Sequence, residues 1–457
     1  MFWPVFLIFI CGFARLFASC GCTVMGFNIE DGGGLVSLSQ VIHVIRSVNP
    51  DIVCIQEAEG RVPYIAQALG WPYYNSRMRV ISHYPIIDPP EGKGVYVFVE
   101  MEPGKVVAVS NVHLPSDPYG PYLFHEGKSN AYVKGVEHKV RLAALKRQLQ
   151  ILPDLAADGV PTFLVGDFNA PSYLDSKRGF KWPVSHELAK IGFRDSYREV
   201  HRSVKKEPGF TWWAARPKVA GWNPDPKDPH DRIDFIYVNG PAKTVGSTTI
   251  GAKDFSPWPS DHRVVVSHFL VEPSNEPVFV AVSKRLLDIG ERLIVRYNAP
   301  QKEDLTLAIF SKDKRFFPQK IKKSYYGTLE FKTKTLKPGS YEVRLSTRSG
   351  KVLSQIPFTL KRSDEKPLLI LPKKVFAYKE PITVSWKHAP GHHLDWISIT
   401  HDDSSLMAAY TQSEISGSYT FDSTTQFGWP LPAGDYQINY FLDDSKRAVT
   451  SLSFTVK

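Results

Sequence analysis

Cysteine is scarce in this chain, with four among 457 residues. They stand at positions 11, 20, 22 and 54, a pattern that builds no disulfide framework, and with few histidines near them they form no zinc site. Cys54, inside Asp51-Ile-Val-Cys-Ile-Gln-Glu57, is best explained as a small core residue. Long apolar runs are also lacking. The opening Met1-Phe-Trp-Pro-Val-Phe-Leu-Ile-Phe-Ile-Cys-Gly-Phe-Ala14 is too short for a comfortable membrane span, Arg15 interrupts its end, and no Lys or Arg precedes it. With Ala18-Ser19-Cys20 behind it, residues 1–20 are expected to be a signal peptide, making the protein secreted or associated with the cell envelope. Phe17-Ala-Ser-Cys20 also has the form of a lipoprotein cleavage box, which would put a lipid on Cys20.

The length exceeds one typical domain, and 43% hydrophobic with 22% charged residues is ordinary globular composition. Thr23–Glu30 is a short strand, Leu38, Val41, Ile42 and Ile45 fall at helical spacing behind Ser37 as cap, and Asn49-Pro50 stops that helix. Residues 51–57 return as a second buried strand, so a βαβ unit brings Asn28 and Glu57 to one sheet edge. Val80–Ile87, Gly94–Glu100 and Lys105–Leu114 are expected strands, the last ending at His113, and Pro115–Tyr122 is expected to be a loop. Val140, Ala144, Leu145, Leu149 and Leu152 line a basic helix expected to end at Pro153 with a solvated charged face. Pro161-Thr-Phe-Leu-Val-Gly-Asp-Phe-Asn-Ala-Pro-Ser172 is a buried strand that delivers Asp167 and Asn169, two apart, to one side. A Gly-Asp-x-Asn after a strand is, taken alone, more often a turn than a site. A helix over Ser185–Ile191 is capped by Gly192, and Trp212 and Trp213 follow in an aromatic run. Asp234 interrupts the β-formers of Asp231–Val238, and an acid in that position needs a partner such as histidine. Asp261-His262 precedes the last strand of this region.

Helical periodicity is absent after Val271. Short alternating strands separated by Gly, Pro and Asp run to the end, as in β-sandwiches. Residues 290–300 repeat in 379–390, Leu336–Tyr341 in Leu431–Tyr436, and Pro357–Thr359 in Ser453–Thr455. The offset suits one immunoglobulin-like domain each, over residues 272–362 and 363–457. The net charge of +10 belongs to the first of these: residues 272–362 carry +10, residues 1–271 carry +3 and residues 363–457 carry −3. Lys312, Lys314, Arg315, Lys320, Lys322 and Lys323 crowd one connection there, either as a solvated loop or as a foot on an anionic polymer or membrane surface.

Gly26-Phe-Asn-Ile29, Asp51–Glu57, Ile81-Ser-His-Tyr-Pro85, Asn111-Val-His-Leu114, Gly166-Asp-Phe-Asn169, Arg232-Ile-Asp-Phe235 and Ser260-Asp-His262 together resemble the endonuclease/exonuclease/phosphatase superfamily, that of pancreatic deoxyribonuclease, exonuclease III and bacterial sphingomyelinases. The resemblance covers residues 21–271 and departs at His83, where the family commonly has arginine. It implies a four-layer α/β sandwich followed by the two all-β sandwiches. It further implies Mg²⁺, with Mn²⁺ as substitute, on Glu57 with Asn28 and Asp261. Asp167 would orient or deprotonate the attacking water, Asn169 and His113 would contact the phosphate, and Asp234 would buttress His262 as a donor. The expected function is a metal-dependent phosphodiesterase acting on nucleic acid. The alternatives are a phospholipid head-group phosphodiesterase of the sphingomyelinase kind and a catalytically inactive adhesion protein.

Overall fold

A computed structural model of the chain describes residues 19–34, 36–89, 94–176, 179–212, 231–299, 304–321, 326–391, 395–402, 404–412, 414–426, 428–442 and 445–457. Residues 1–18 of the expected leader, with Cys11, and Trp213, Trp222, Lys322 and Lys323 lie outside the described residues.

Strand β1 (Cys20–Asn28) starts three residues before the expected Thr23 and runs parallel to β2 (Ile52–Gln56), with Asn28 opposite Gln56. Helix α1 (Leu38–Val48) joins them. Ser37 caps it by accepting the Gln40 N–H at 3.2 Å, and Asn49 ends it in the left-handed region at φ 49, the cap and stop that the sequence announces. The first sheet continues through α2 (Val62–Leu69), β3 (Tyr73–Asn75) and β4 (Val80–Ser82). Residues 80–87 are not one strand. His83-Tyr84-Pro85 breaks the run, and β5 (Ile86–Ile87) enters the other sheet, because proline cannot donate to a ladder.

That second sheet comprises β6 (Val97–Glu102), β7 (Lys105–His113), β8 (Thr162–Asp167), the two-residue β9 (Arg194–Asp195) and β10 (Asp234–Asn239) in the order β5-β6-β7-β8-β10-β9. Strands β11 (Ala242–Ile250) and β12 (Val264–Val271) return to the first sheet, ordered β11-β12-β1-β2-β4-β3. Val24, Ile52, Val97, Val109, Phe163, Val165 and Ile236 fill the space between the sheets. Helices α1 and α2 cover one outer face with Val41, Ile45, Ile65 and Ala66. Beyond α3 (Gly120–His125) and α4 (Asn130–Glu137), Leu145 and Leu152 around α5 (Lys146–Ala157) and Val184 and Leu188 of α6 (Pro183–Lys190) cover the other. The unit is therefore a four-layer α/β sandwich.

Three local expectations change here. The loop after His113 gives way at Gly120 to a short helix, Gly120–His125, with Pro121 in its first turn, where no N–H is needed. Helix α5 passes through Pro153 to Ala157. The basic segment before it is not wholly solvated either. Arg141 is fully buried, pairs with buried Glu137 at 2.9 Å, and donates to the Ser116 and Pro118 carbonyls at 2.7 and 2.9 Å, so it clamps the chain leaving β7.

Past Val271, Ser274–Asn275 still pair with Val106 and Lys105 of β7, and Phe279 and Ala281 pack into the α/β core. Two three-plus-five-stranded sandwiches follow. The first orders its strands Phe279–Val282, Arg292–Asn298, Tyr326–Lys332 in one sheet and Leu286–Asp288, Val352–Lys361, Gly339–Thr347, Leu305–Ser311, Lys314–Ile321 in the other. The second repeats this order strand for strand between Leu368 and Val456. The repeat extends to detail: Tyr341 donates to the Lys337 carbonyl at 2.8 Å and Tyr436 to the Pro432 carbonyl at 2.8 Å. Lys314, Arg315 and Lys320 sit not in a loop but, exposed, on the edge strand Lys314–Ile321. Lysines there keep an open edge from pairing with another chain.

Candidate active site

Strand direction decides what meets at the sheet edge. The parallel pairs β1/β2 and β7/β8 end on the same side of the unit, and β10, antiparallel to β8, begins there with Asp234 opposite Asp167. Segment 260–262, just before β12, arrives beside them.

Asp167 is the hub. It is 1% exposed, and its Oδ2 lies 3.0 Å from Asn28 Nδ2 and 3.6 Å from Nε2 of both His113 and His262. Its Oδ1 accepts the Asn169 N–H at 2.8 Å. Burial, and then the charge of Asp234, raise its carboxyl to about 6, while His262, His113 and the Asn169 N–H pull the other way. The approach to Asp167 demands glycine at 166: φ is 151, and a Cβ there would stand 1.9 Å from the Val112 carbonyl oxygen. Asn169 has φ 47 and donates to the Leu114 carbonyl at 2.9 Å, while Phe168 turns into the core against Phe235 and Tyr237. The segment is thus an Asx turn and part of the cluster at once.

His262, 4% exposed, holds its Nδ1 2.8 Å from Asp234 Oδ2, so Nε2 faces Asp167. Burial alone would push this imidazole down. Asp234, Asp261 and Asp167 outweigh burial and hold it well above its usual value. The Trp258 indole donates to the His262 carbonyl at 2.7 Å, and Ser260 Oγ bridges the two strands by donating to the Asn28 carbonyl at 2.7 Å and accepting the His262 N–H at 3.0 Å. That turn brings the adjacent Asp261 round, with Oδ1 3.8 Å from His262 Nε2 and Oδ2 accepting from Trp212 Nε1 at 3.3 Å. Trp212 packs edge-on to Tyr119 at 5.6 Å.

On the open side, Asn28 Nδ2 donates to Glu57 Oε1 at 3.1 Å, and the Asp31 N–H donates to Glu57 Oε2 at 3.1 Å. Asn28 therefore braces Glu57 and Asp167 together, and its carboxamide oxygen Oδ1 accepts the Glu30 N–H at 3.1 Å. Asp167, Asp234 and His262 form a group whose acid and imidazole atoms lie within 4.8 Å of one another, able in principle to hold a metal ion. Their mutual contacts suit proton holding better: His262 Nδ1 is committed to Asp234. Glu57 and Asp261 are half-buried carboxylates with oxygen lone pairs left over, the hard donors a Mg²⁺-like ion takes.

Several positioning residues carry no obvious chemistry in the sequence. Buried Asn111 stitches the sheets together, accepting from Gln56 Nε2 at 2.6 Å and donating to the Ile55 and Met78 carbonyls, each at 3.0 Å. The Thr211 hydroxyl accepts the N–H groups of Ile233 and Asp234 at 3.0 and 3.1 Å. Arg232, 4% exposed, is locked by Asp175 and Asp195 at 2.7–3.0 Å. Asn111 and Arg232 lie within segments that carry the family resemblance; Thr211 gives no such signal.

A model of the Endonuclease/Exonuclease/phosphatase family matches residues 25–262, more than half of the chain, and the protein belongs to that family. It is 27% identical over 311 residues to an uncharacterised Caenorhabditis elegans protein, F14F9.5, covering 58% of this chain and 98% of that one. Among solved structures, an endonuclease/exonuclease/phosphatase from Beutenbergia cavernae matches at 17% identity and TM-score 0.35, over 74% of this chain and all of that one. One from Bacteroides vulgatus matches at 16% and 0.35, over 55% and 99%.

Proposed function

We propose that the protein is a metal-dependent phosphodiesterase that cleaves a nucleic-acid strand by attack of water on phosphorus. The family membership supports phosphoester hydrolysis in general. One arrangement carries the finer reading: two imidazoles approach the same oxygen of a buried carboxylate at 3.6 Å, and one of them has a second carboxylate behind it. Asp167, with its carboxyl raised to about 6, is ionised near neutral pH yet basic enough to take a proton from water as the water oxygen bonds to phosphorus. His262, with its proton stabilised by Asp234, gives a hydrogen bond, and then the proton, to the ester oxygen as its bond to phosphorus breaks. In this reading His113 and the Asn169 carboxamide are the ligands for the non-bridging oxygens. These donors are aimed where negative charge grows, and their fixed placement stabilises the transition state. Glu57 and Asp261, braced by Asn28, are the residues that would hold a divalent cation. Such an ion, when bound, offsets charge on the phosphate. Export through residues 1–20 belongs to the same proposal, and the mass of the mature chain reports it.

The test is a substrate panel of duplex and single-stranded DNA, RNA, sphingomyelin, phosphatidylcholine and inositol phosphates, with Mg²⁺, with EDTA, and with His262→Ala. Cleavage of a nucleic acid that EDTA and His262→Ala both abolish is expected. Turnover that persists in either control overturns the mechanism, and head-group release without strand cleavage overturns the substrate.

A further inference from the structure

The second sandwich, which lies outside the family match, reaches back to the sheet edge that carries the cluster. One end of its five-stranded sheet sets Trp396 opposite both Tyr410 and Phe441, and the loops leaving that end meet the α/β unit on two sides. On one side the Tyr410 hydroxyl donates to the His113 carbonyl at 3.1 Å, and Arg147 of α5 donates to the Gln412 carbonyl at 2.6 Å. On the other, the Lys446 ammonium contacts the Asp31 carboxylate, whose own N–H donates to Glu57. The contact points flank the cluster, at His113 and at Asp31 beside Glu57.

Charge at the Lys446 contact is informative. Beside Glu57, which would hold the divalent cation, the rim carries Asp31 and Glu59, carboxylates that disfavour a phosphate next to the scissile one. Lys446 is a cation presented to that rim, by a module whose net charge is −3. Partial burial would lower its affinity for a proton, but the contact with Asp31 and the charges of Asp31, Glu57 and Glu59 raise it, so the ammonium stays charged. It is not locked in place. The side chains of Lys446 and Asp31 are 74% and 47% exposed, and an ion pair so exposed is worth about 0–1 kcal/mol, so Lys446 can leave Asp31 for a phosphate at little cost.

We propose that this end of the second sandwich is part of the substrate cleft, and that Lys446 binds a phosphate adjacent to the scissile one on a nucleic-acid strand. A strand always supplies that neighbour, whereas a single-phosphate head group does not. The proposal rests on the phosphodiester reading above, and its test separates the two. Thymidylyl-thymidine has one phosphate; the same dinucleotide with an added 5′- or 3′-terminal phosphate has two. Kinetics of the full chain in Mg²⁺ on these three compounds are compared for wild type, Lys446→Met and Lys446→Arg, with melting temperatures as a check on folding. The wild type is expected to show a KM about tenfold lower for one of the two-phosphate compounds, as a charge-assisted contact would give. Lys446→Met should bring that KM ratio to about one, and Lys446→Arg should keep most of the preference. If wild type cleaves the dinucleotides and Lys446→Met retains the same ratio, this inference falls while the phosphodiester reading stands. If wild type cleaves a nucleic acid of the panel above but none of these three, KM on that strand is compared for wild type and Lys446→Met, and equal values overturn this inference alone; if it cleaves no nucleic acid, the phosphodiester reading falls and this inference with it.

Discussion

The α/β unit and the sandwiches bury different kinds of side chain. At one sheet edge the α/β unit collects Asn28, Asp167, Asn169, Asp234 and His262, all under a tenth exposed, and behind them a second charged network of Asp195, Arg198 and Arg232. The buried polar groups of the sandwiches, among the described residues, are Thr333, Ser354, Ser398, Thr400, Thr411, Asn439 and one acid, Asp395. Hydroxyls and amides settle into a β-sandwich at small cost, because each needs one or two hydrogen bonds. Buried charges need partners of opposite sign held at fixed distances, and a fold that concentrates them in one place has a use for them. The sandwiches show what the same chain does without that demand: apolar layers, paired backbones and a repeated plan, with functional contacts left to loops and strand ends such as Lys446 and Tyr410.

The sharpest way to break this comparison is at two glycines of similar backbone angle. Gly166, in the α/β unit, has the Val112 carbonyl 1.9 Å from where a Cβ would stand, whereas Gly339, in the first sandwich at φ 147, has nothing within 4 Å. Gly166→Ala is expected to cost about 4 kcal/mol or more, enough to prevent folding, and Gly339→Ala about 1 kcal/mol from backbone strain alone. Denaturant melts decide it, and equal costs would show that the approach of β7 to β8 is not tight.

A next effect concerns the buried acids. Asp167→Asn is expected to lower kcat/KM by about a hundredfold or more, while Asp395→Asn in the second sandwich leaves it unchanged. The pH dependence carries a sign that can be checked. Asp167 has a folded-state value near 6, above the ordinary 3.8, so its contribution to stability is complete below the ordinary value and is lost as pH rises through about 6. Wild type should therefore lose stability relative to Asp167→Asn between pH 4 and 7. Activity should rise over the same interval as Asp167 ionises. A flat stability difference would mean that the carboxyl is not raised.

The smallest effect sharpens the likeness of the two sandwiches. Tyr341→Phe and Tyr436→Phe each remove one hydroxyl-to-carbonyl bond of 2.8 Å, and each should cost about 1 kcal/mol. Thermal unfolding that moved by very different amounts would show that the repeat of topology is not a repeat of energetics.

Much of this was legible from residues alone. Ser37 and Asn49-Pro50 marked the ends of α1, the run Lys105–Leu114 between Gly- and Pro-bearing turns marked β7, and Thr162–Val165 marked the buried strand that carries Asp167. The polar strand ends Asn28, Glu57, His113, Asp167, Asn169, Asp234, Asp261 and His262 were all nameable, since each interrupts an apolar run. The exchange of sheets at His83-Tyr84-Pro85 was not, because both halves of that segment are apolar and periodicity does not say which sheet a strand joins. Arg141 was misplaced for a related reason: a basic helix face resembles solvent until the chain that it clamps, Ser116 to Pro118, has folded over it. The charge count pointed to the first sandwich, where Lys314, Arg315 and Lys320 lie exposed on the edge strand. It could not reveal Lys446, one of the cations in a module of net charge −3.

By itself the sequence determined β1, α1, β2, β7 and β8, the repeat of the two sandwiches and the set of polar residues at strand ends, since these depend on spacing along the chain, where periods of 2 and 3.6 leave their mark. Tertiary structure alone decided the rest. Asp167 and Asp234, 67 residues apart, become opposite members of one antiparallel register. The turn at Ser260 brings Asp261 and His262 to the same side, and a loop of the last sandwich comes to rest against Asp31. The reason is physical: the pKa of a carboxyl, the orientation of an imidazole and the neighbour of a rim charge depend on distances through space, and those exist only once the sheets have packed.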